Sequence, residues 1–301
     1  MNHTISTDSY HACSLCPRGC SADRYKATGF CGCGPVLKAA RAALHFWEEP
    51  VLSGPEYEPG GSGTVFFSGC TLRCAFCQNF ELSEEGHGKE ISSGQLADIF
   101  LRLEAQGAHN INLVTPTHFL PWILPALEPK LSVPVVYNCG GYESVETLRQ
   151  LEGKVDIWLP DLKYADGELA GRLSAAPDYF PVAAAAIREM FRQTGPCVLE
   201  DGLLKRGVVI RHLVLPGQMD NTRRCIDWVA ENFRPGEVMF SLMSQYTPQE
   251  NAEGTLRRHV TRSEYRAAVA YMENCGITDG FTQERTAARA EYTPPFDLTG
   301  V

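Results

Sequence analysis

The chain has 301 residues, 44% of them apolar, and a formal net charge of −9. That is enough to bury one large barrel or two domains, and the acidic balance argues against a broad basic face for nucleic acid, leaving room only for a local patch. No segment approaches the roughly 18 consecutive apolar residues of a membrane span, and the start, MNHTISTDSYHACSLC, lacks the basic-then-apolar order of a secretory signal.

Twelve cysteines without an export signal point to a reducing compartment, the cytoplasm, and to metal ligands or small buried residues rather than disulfides. Residues 1–34 read as a Cys-rich unit of little periodicity. Within it Cys13, Cys16, Cys20 and Cys31 are spaced C-x2-C-x3-C-x10-C, a full ligand set for either tetrahedral zinc or a fully ligated iron–sulfur cluster. Cys33 competes as the fourth ligand. So short and apolar-poor a segment needs a metal to fold. Residues 35–63 read as a connector, with an aromatic stretch LHFWEEP and then PEYEPGGSG, whose Gly and Pro density signals loop.

From residue 64 short apolar runs suited to buried strands alternate with helical patterns. The runs are 64–68, 111–115, 134–138, 155–160, 208–215 and 238–243. Ser92 with Gln95, and Thr261 with Glu264, look like capping boxes. Further helices are expected over 143–151, 178–193 and 221–233. Six such units predict an α/β fold, a partial (β/α)6 barrel over 64–301 with parallel strands covered by helices. Chemistry is then sought at the C-terminal ends of the strands.

The segment FFSGCTLRCAFCQNF follows the first strand and spaces Cys70, Cys74 and Cys77 as C-x3-C-x2-C. Three thiolates can hold three irons of a cubane and leave the fourth open to a bidentate ligand. Phe76 can set a flat apolar face beside it. Zinc is the alternative, with His87 or His118 as fourth ligand.

The other strand ends carry polar candidates. VTPTH offers Thr115, Thr117 and His118, the last with either a substrate role or a packing one. VVYNCGGY offers Asn138 and two glycines that admit a ligand or make a plain turn. In PDLKY, Asp161 and Lys163 share a strand face, and burying both requires pairing or a charged ligand. In IRHLVLPG, Arg211 can grip a carboxylate bidentately, while His212 faces the other way, so one of the two is structural. SLMSQY adds Gln245 and Tyr246 as substrate contacts. Cys139, Cys197, Cys225 and Cys275 are solitary and read as small hydrophobes.

The pattern C-x3-C-x-Φ-C after the first strand resembles the signature of the radical S-adenosylmethionine superfamily. The likeness runs through the whole barrel and is closest to the pyruvate formate-lyase-activating-enzyme-like branch. The Cys-rich start, VTPTHF and RHLVLPG look like the uncharacterised subgroup named for that resemblance. The resemblance implies a [4Fe–4S] cluster on Cys70, Cys74 and Cys77 whose open iron chelates S-adenosylmethionine. One electron then cleaves the cofactor to methionine and a 5′-deoxyadenosyl radical that abstracts a substrate hydrogen. The residues expected to line the cofactor are Phe76, Thr115, Thr117, Asn138, Asp161, Lys163, Arg211 and Pro216, of which the resemblance itself points to Asp161, Lys163 and Pro216. The N-terminal cysteines would hold a second cluster or zinc, and an electron donor such as flavodoxin or ferredoxin would serve as partner. The substrate is expected to be a glycyl-radical enzyme, another protein or peptide, or a small molecule, in an oxidoreductase or lyase reaction. The Gly-Gly-Glu-type segment of the activating enzymes is missing at VTPTH, which weakens the activase version. A zinc-stabilised interaction protein with a degenerate barrel is the alternative from another class.

Overall fold

The computed structural model describes residues 4–55, 60–249, 252–282 and 294–301; positions 56–59 of the expected PEYEPGGSG loop lie outside them. In chain order the strands are β1 (Lys38–His45), β2 (Ser62–Phe67), β3 (Lys89–Glu90), β4 (Asn110–Val114), β5 (Val135–Cys139), β6 (Ile157–Pro160), β7 (Val198–Glu200), β8 (Leu203–Leu213), β9 (Met239–Met243) and β10 (Gly280–Thr282). The helices are α1 (Pro50–Ser53), α2 (Phe80–Ser83), α3 (Ser93–Ala105), α4 (Leu120–Ala126), α5 (Val145–Arg149), α6 (Gly167–Ser174), α7 (Tyr179–Thr194), α8 (Met219–Asn232) and α9 (Arg262–Asn274). No described helix is long and apolar enough to cross a membrane.

Neighbours in the sheet run β10-β9-β8-β6-β5-β4-β2-β1-β3, with β7 beside β8. From β2 to β10 the pairings are parallel, whereas β1 lies antiparallel to β2 and β3 antiparallel to β1. The two ends of this path are not paired to each other among the described residues, so the barrel is partial. The six expected runs are β2, β4, β5, β6, β8 and β9. Both expected capping boxes form, at α3 and α9.

Sequence reasoning missed β10, whose segment has no apolar run, and β1, which sits in the expected connector. The Ala-rich KAARAALH has weak strand propensity. Pairing with β2, Ala42 opposite Val65, makes it a strand by tertiary context.

Alternation along the strands sends one set of side chains outward and the other into the lumen. Outward, Val65, Phe67, Ile111 and Leu113 join one apolar cluster with α3 and α4, and Tyr137, Trp158, Ile210 and Phe240 join another with α5 to α9. Inward, Val136, Ile157, Leu159 and Val209 pack on Val51 and Leu52 of α1. Pro50 opens this short helix, where its fixed φ and missing N–H cost nothing, and the Leu52 carbonyl accepts from Asn110 Nδ2 at 2.8 Å. The supposed connector is therefore a plug that fills the floor of the barrel. Leu52 is fully buried there, worth about 2 kcal/mol of hydrophobic burial.

Candidate active site

Cys70, Cys74 and Cys77 all border one cavity of about 240 Å³ at the C-terminal ends of the strands. Their loop departs from β2 through Gly69, at φ +80°. A Cβ at Gly69 would strike Cys33 Sγ and lie 2.7 Å from the Cys31 carbonyl, so only glycine serves there. The loop is pinned to the fold by its backbone. Ala75 N–H donates to the Leu173 carbonyl at 2.8 Å, Cys77 N–H to Cys74 at 3.0 Å, and Cys70 N–H to Cys31 at 3.2 Å. Ser174 donates its hydroxyl to Cys74 Sγ at 3.0 Å, with the Tyr164 hydroxyl 2.7 Å behind it. Burial pushes the Cys70 thiol up to about 12, with Cys74 and Cys77 adding to the effect. Burial and Cys74 likewise raise Cys77.

Three thiols, Cys74 buried and Cys70 and Cys77 half-buried, that repel one another's charge suit a cationic iron–sulfur centre, which stabilises thiolates outright. Among the described residues no three His, Cys, Asp or Glu side chains gather round a single ion position. The three cysteines share the lining of one cavity. Phe76 borders the same cavity and is held between Tyr164 and Tyr246, with ring centroids at 6.4 and 6.1 Å.

The N-terminal segment clasps this loop. Arg18 donates to the carbonyls of Thr71 at 2.7 Å and Ser174 at 2.6 Å, with its guanidinium 3.8 Å from the centre of the Phe30 ring. Arg24, almost wholly buried, donates to the carbonyls of Cys33 and His118. Cys20 and Cys31 lie on either side of Gly29, each Sγ 3.5 Å from where a Cβ would stand. Cys16 feels the charge of both Cys13 and Cys31, but no three of the four expected ligands gather round a single ion position among the described residues. Cys33 donates to the carbonyls of Ser68 and Cys31, at 3.4 and 3.7 Å, and its thiol also neighbours that of Cys31.

Opposite the triad, the cavity wall is a charged network. Asp161 accepts from Lys163 Nζ at 2.5 Å and from Arg211 Nε at 2.9 Å, while Arg211 Nη2 donates to Asn138 Oδ1 at 2.6 Å. Burial pushes the Asp161 carboxyl up, and Arg211 and Lys163 outweigh it, so it sits below its ordinary value. Thr115 borders the cavity too, in the left-handed region at φ +58°.

Sequence reasoning missed Glu48. From the plug, its Oε2 accepts from Asn112 and Asn138, both at 3.0 Å, and lies 3.8 Å from Arg211 Nη1. His45 and Trp47 of the same stretch also border the cavity. The available signal was the pair of acids in LHFWEEP, set among aromatics and followed by a helix-opening proline.

Other expected residues stand elsewhere. Thr117 does not border the cavity; it is buried, donates to the Glu143 carboxylate at 2.9 Å and accepts from Tyr137. Pro216 does not border it either, and lies in the turn after β8. His118 is a packing residue, its Nε2 2.7 Å from the Ser68 carbonyl. His212 faces outward as expected, between the Leu162 carbonyl at 2.6 Å and Thr222 at 3.0 Å. Gln245 borders the cavity, whereas Tyr246 turns its hydroxyl to the Leu256 carbonyl. Of the two glycines, Gly141 is needed for packing, since a Cβ there would strike the Asp161 carbonyl.

No family model matches the chain. It is 29% identical over 286 residues to the uncharacterized protein MJ0674 of Methanocaldococcus jannaschii, covering 91% of this chain and 78% of that one. Among solved structures it is similar to SuiB of Streptococcus suis bound to S-adenosylmethionine, with a TM-score of 0.50, 15% identity and 71% of this chain covered. SuiB bound to its precursor peptide SuiA gives the same TM-score and identity. The chain spans about half the length of SuiB, 48% in the first comparison. The shared part is the fold: a partial (β/α) barrel.

Proposed function

We propose that this chain is a radical S-adenosylmethionine enzyme in which Cys70, Cys74 and Cys77 hold a [4Fe–4S] cluster. The carrying observation is that these three thiols and the Asp161, Lys163 and Arg211 network border one cavity at the strand ends, in a fold shared with SuiB, which was solved with S-adenosylmethionine bound. When bound, the cluster and cofactor supply the electron transfer and the 5′-deoxyadenosyl radical that takes a hydrogen atom from the substrate. The protein's part is orientation. Arg211, Lys163 and Asn138 offer donors, and Asp161 and Glu48 acceptors, to the nucleoside and carboxylate end of the cofactor. Phe76 and Leu72 supply apolar walls, and α1 closes the floor of the lumen against water.

Residues 1–34 are proposed to carry a second metal, zinc or an iron–sulfur cluster, on Cys13, Cys16, Cys20 and Cys31. SuiB was also solved with its precursor peptide, which supports a peptide or protein as the substrate class. Flavodoxin or ferredoxin in the cytoplasm is the proposed electron source. Anaerobic reconstitution with iron and sulfide, followed by dithionite and S-adenosylmethionine, should release 5′-deoxyadenosine. Cys74→Ala should abolish that release while the barrel still folds. Cleavage that persists in a variant lacking all three triad cysteines would refute the assignment.

A further inference from the structure

A second cavity, of about 400 Å³, adjoins the first inside the barrel. Glu48, Arg211 and Gln245 border both. The second is also lined by Glu49 and Ser241, and none of the three triad thiols borders it.

Glu49 is only 8% exposed. Its Oε2 is shut from solvent and has no hydrogen-bond partner among the described residues. Burial pushes its carboxyl up to about 7, with Arg211 opposing and Glu48 adding to the rise. Among the described residues that line the two cavities, three acids, Glu48, Glu49 and Asp161, stand against two cations, Lys163 and Arg211. Asp161 is satisfied by both cations, and Glu48 by two asparagine amides with Arg211 near by. The surplus carboxyl is therefore Glu49. Ser241 gives the carboxyl a hydrogen bond, but Oε2 stays unpartnered; a buried carboxylate with no counter-ion is costly, and a cation is what relieves it.

We infer that this second cavity receives an aliphatic ammonium group of the substrate, with Glu49 as its counter-ion. This rests on the radical reading for the word substrate. The cofactor's own sulfonium is not taken as that cation, because the cofactor would be held by the cluster's open iron and the thiols that would carry the cluster do not border this space. The surroundings suit an alkylamine: Ser241 offers a hydroxyl, Met243 and Phe281 apolar surface, and the Trp47 ring a face that attracts cations.

The test uses the full chain with its cluster reconstituted and S-adenosylmethionine bound, at pH 8. Butylammonium and, as the uncharged probe, butanol are titrated calorimetrically. The wild type should bind butylammonium at least tenfold more tightly than butanol, and Glu49→Gln should erase that preference with the cluster absorbance retained. Ser241→Leu, which fills the cavity and leaves the carboxyl, should block both probes. No preference for butylammonium in the wild type would overturn the proposal, as would a preference that survives in Glu49→Gln. Release of 5′-deoxyadenosine from the same samples reports on the radical reading alone. Amine binding without cleavage would retire that reading and leave the amine site, and cleavage without amine preference would do the reverse.

Discussion

Replacing Arg211 by methionine separates charge compensation from cofactor binding in one experiment. Arg211 and Asp161 are 14% and 13% exposed at the side chain and stand 2.9 Å apart. With an effective dielectric near 20 their attraction is roughly 6 kcal/mol, and desolvation of the two ions offsets most of it. What the variant measures is the cost of a stranded charge, ~3–5 kcal/mol for a buried pair that loses one member. Here Asp161 keeps Lys163, and Glu48 keeps Asn112 and Asn138, so the lower end, about 3 kcal/mol, is expected. At about 2 °C per kcal/mol for a chain of this size, the melting temperature should fall by about 6 °C. Arg211→Lys retains the charge and loses the fork that reaches Asp161 and Asn138 together, and should cost about one third of that. Both variants should weaken S-adenosylmethionine binding by roughly tenfold or more, since one hydrogen bond to a charged group is worth about 1.5–3 kcal/mol. A methionine variant that melts within about 1 °C of wild type would refute the charge argument. One that melts low and binds the cofactor as wild type does would make Arg211 purely structural.

Ser174→Ala removes the hydroxyl that donates to Cys74 Sγ; hydrogen bonds to cluster sulfurs raise the reduction potential, so an EPR-monitored redox titration should show a lower potential with iron content unchanged, and an unchanged potential would contradict that contact. Stability should also depend on pH through Glu49. Its folded pKa, about 7, is raised above the ordinary carboxylate value, so the stability it contributes is present below about pH 4 and lost as pH rises through 7. Melting curves of the apoprotein should show that decline between pH 5 and 8, and Glu49→Gln should flatten it. Asp161 acts in the opposite sense: its depressed pKa gives stability above about pH 4 that is lost as pH falls, so Asp161→Asn should blunt acid unfolding.

What the sequence determined by itself was everything encoded locally. Strand runs such as INLVT and VVYN, the capping boxes at Ser92 and Thr261, and the alternation that implies parallel strands are short-range patterns, and they fold as read. The cysteine spacing after β2 also placed the triad at a strand end. The alternation rule put Asp161 and Lys163 on one face and turned His212 away from Arg211, because side-chain direction in a strand is fixed by period two. Tertiary structure alone decided what non-local contacts decide. Pairing with β2 turns an Ala-rich connector into β1. The open lumen draws α1 inside, and Glu48 and Glu49 arrive at a site more than sixty residues downstream of them in the chain at Asn112, and further still at Arg211. Thr117, only two residues from Thr115, leaves the cavity because the left-handed turn at Thr115 and the short 3-10 helix after it carry its hydroxyl to buried Glu143. No pattern in the sequence reports such a turn, since the energy that holds it comes from partners distant in the chain and near only once the barrel has formed.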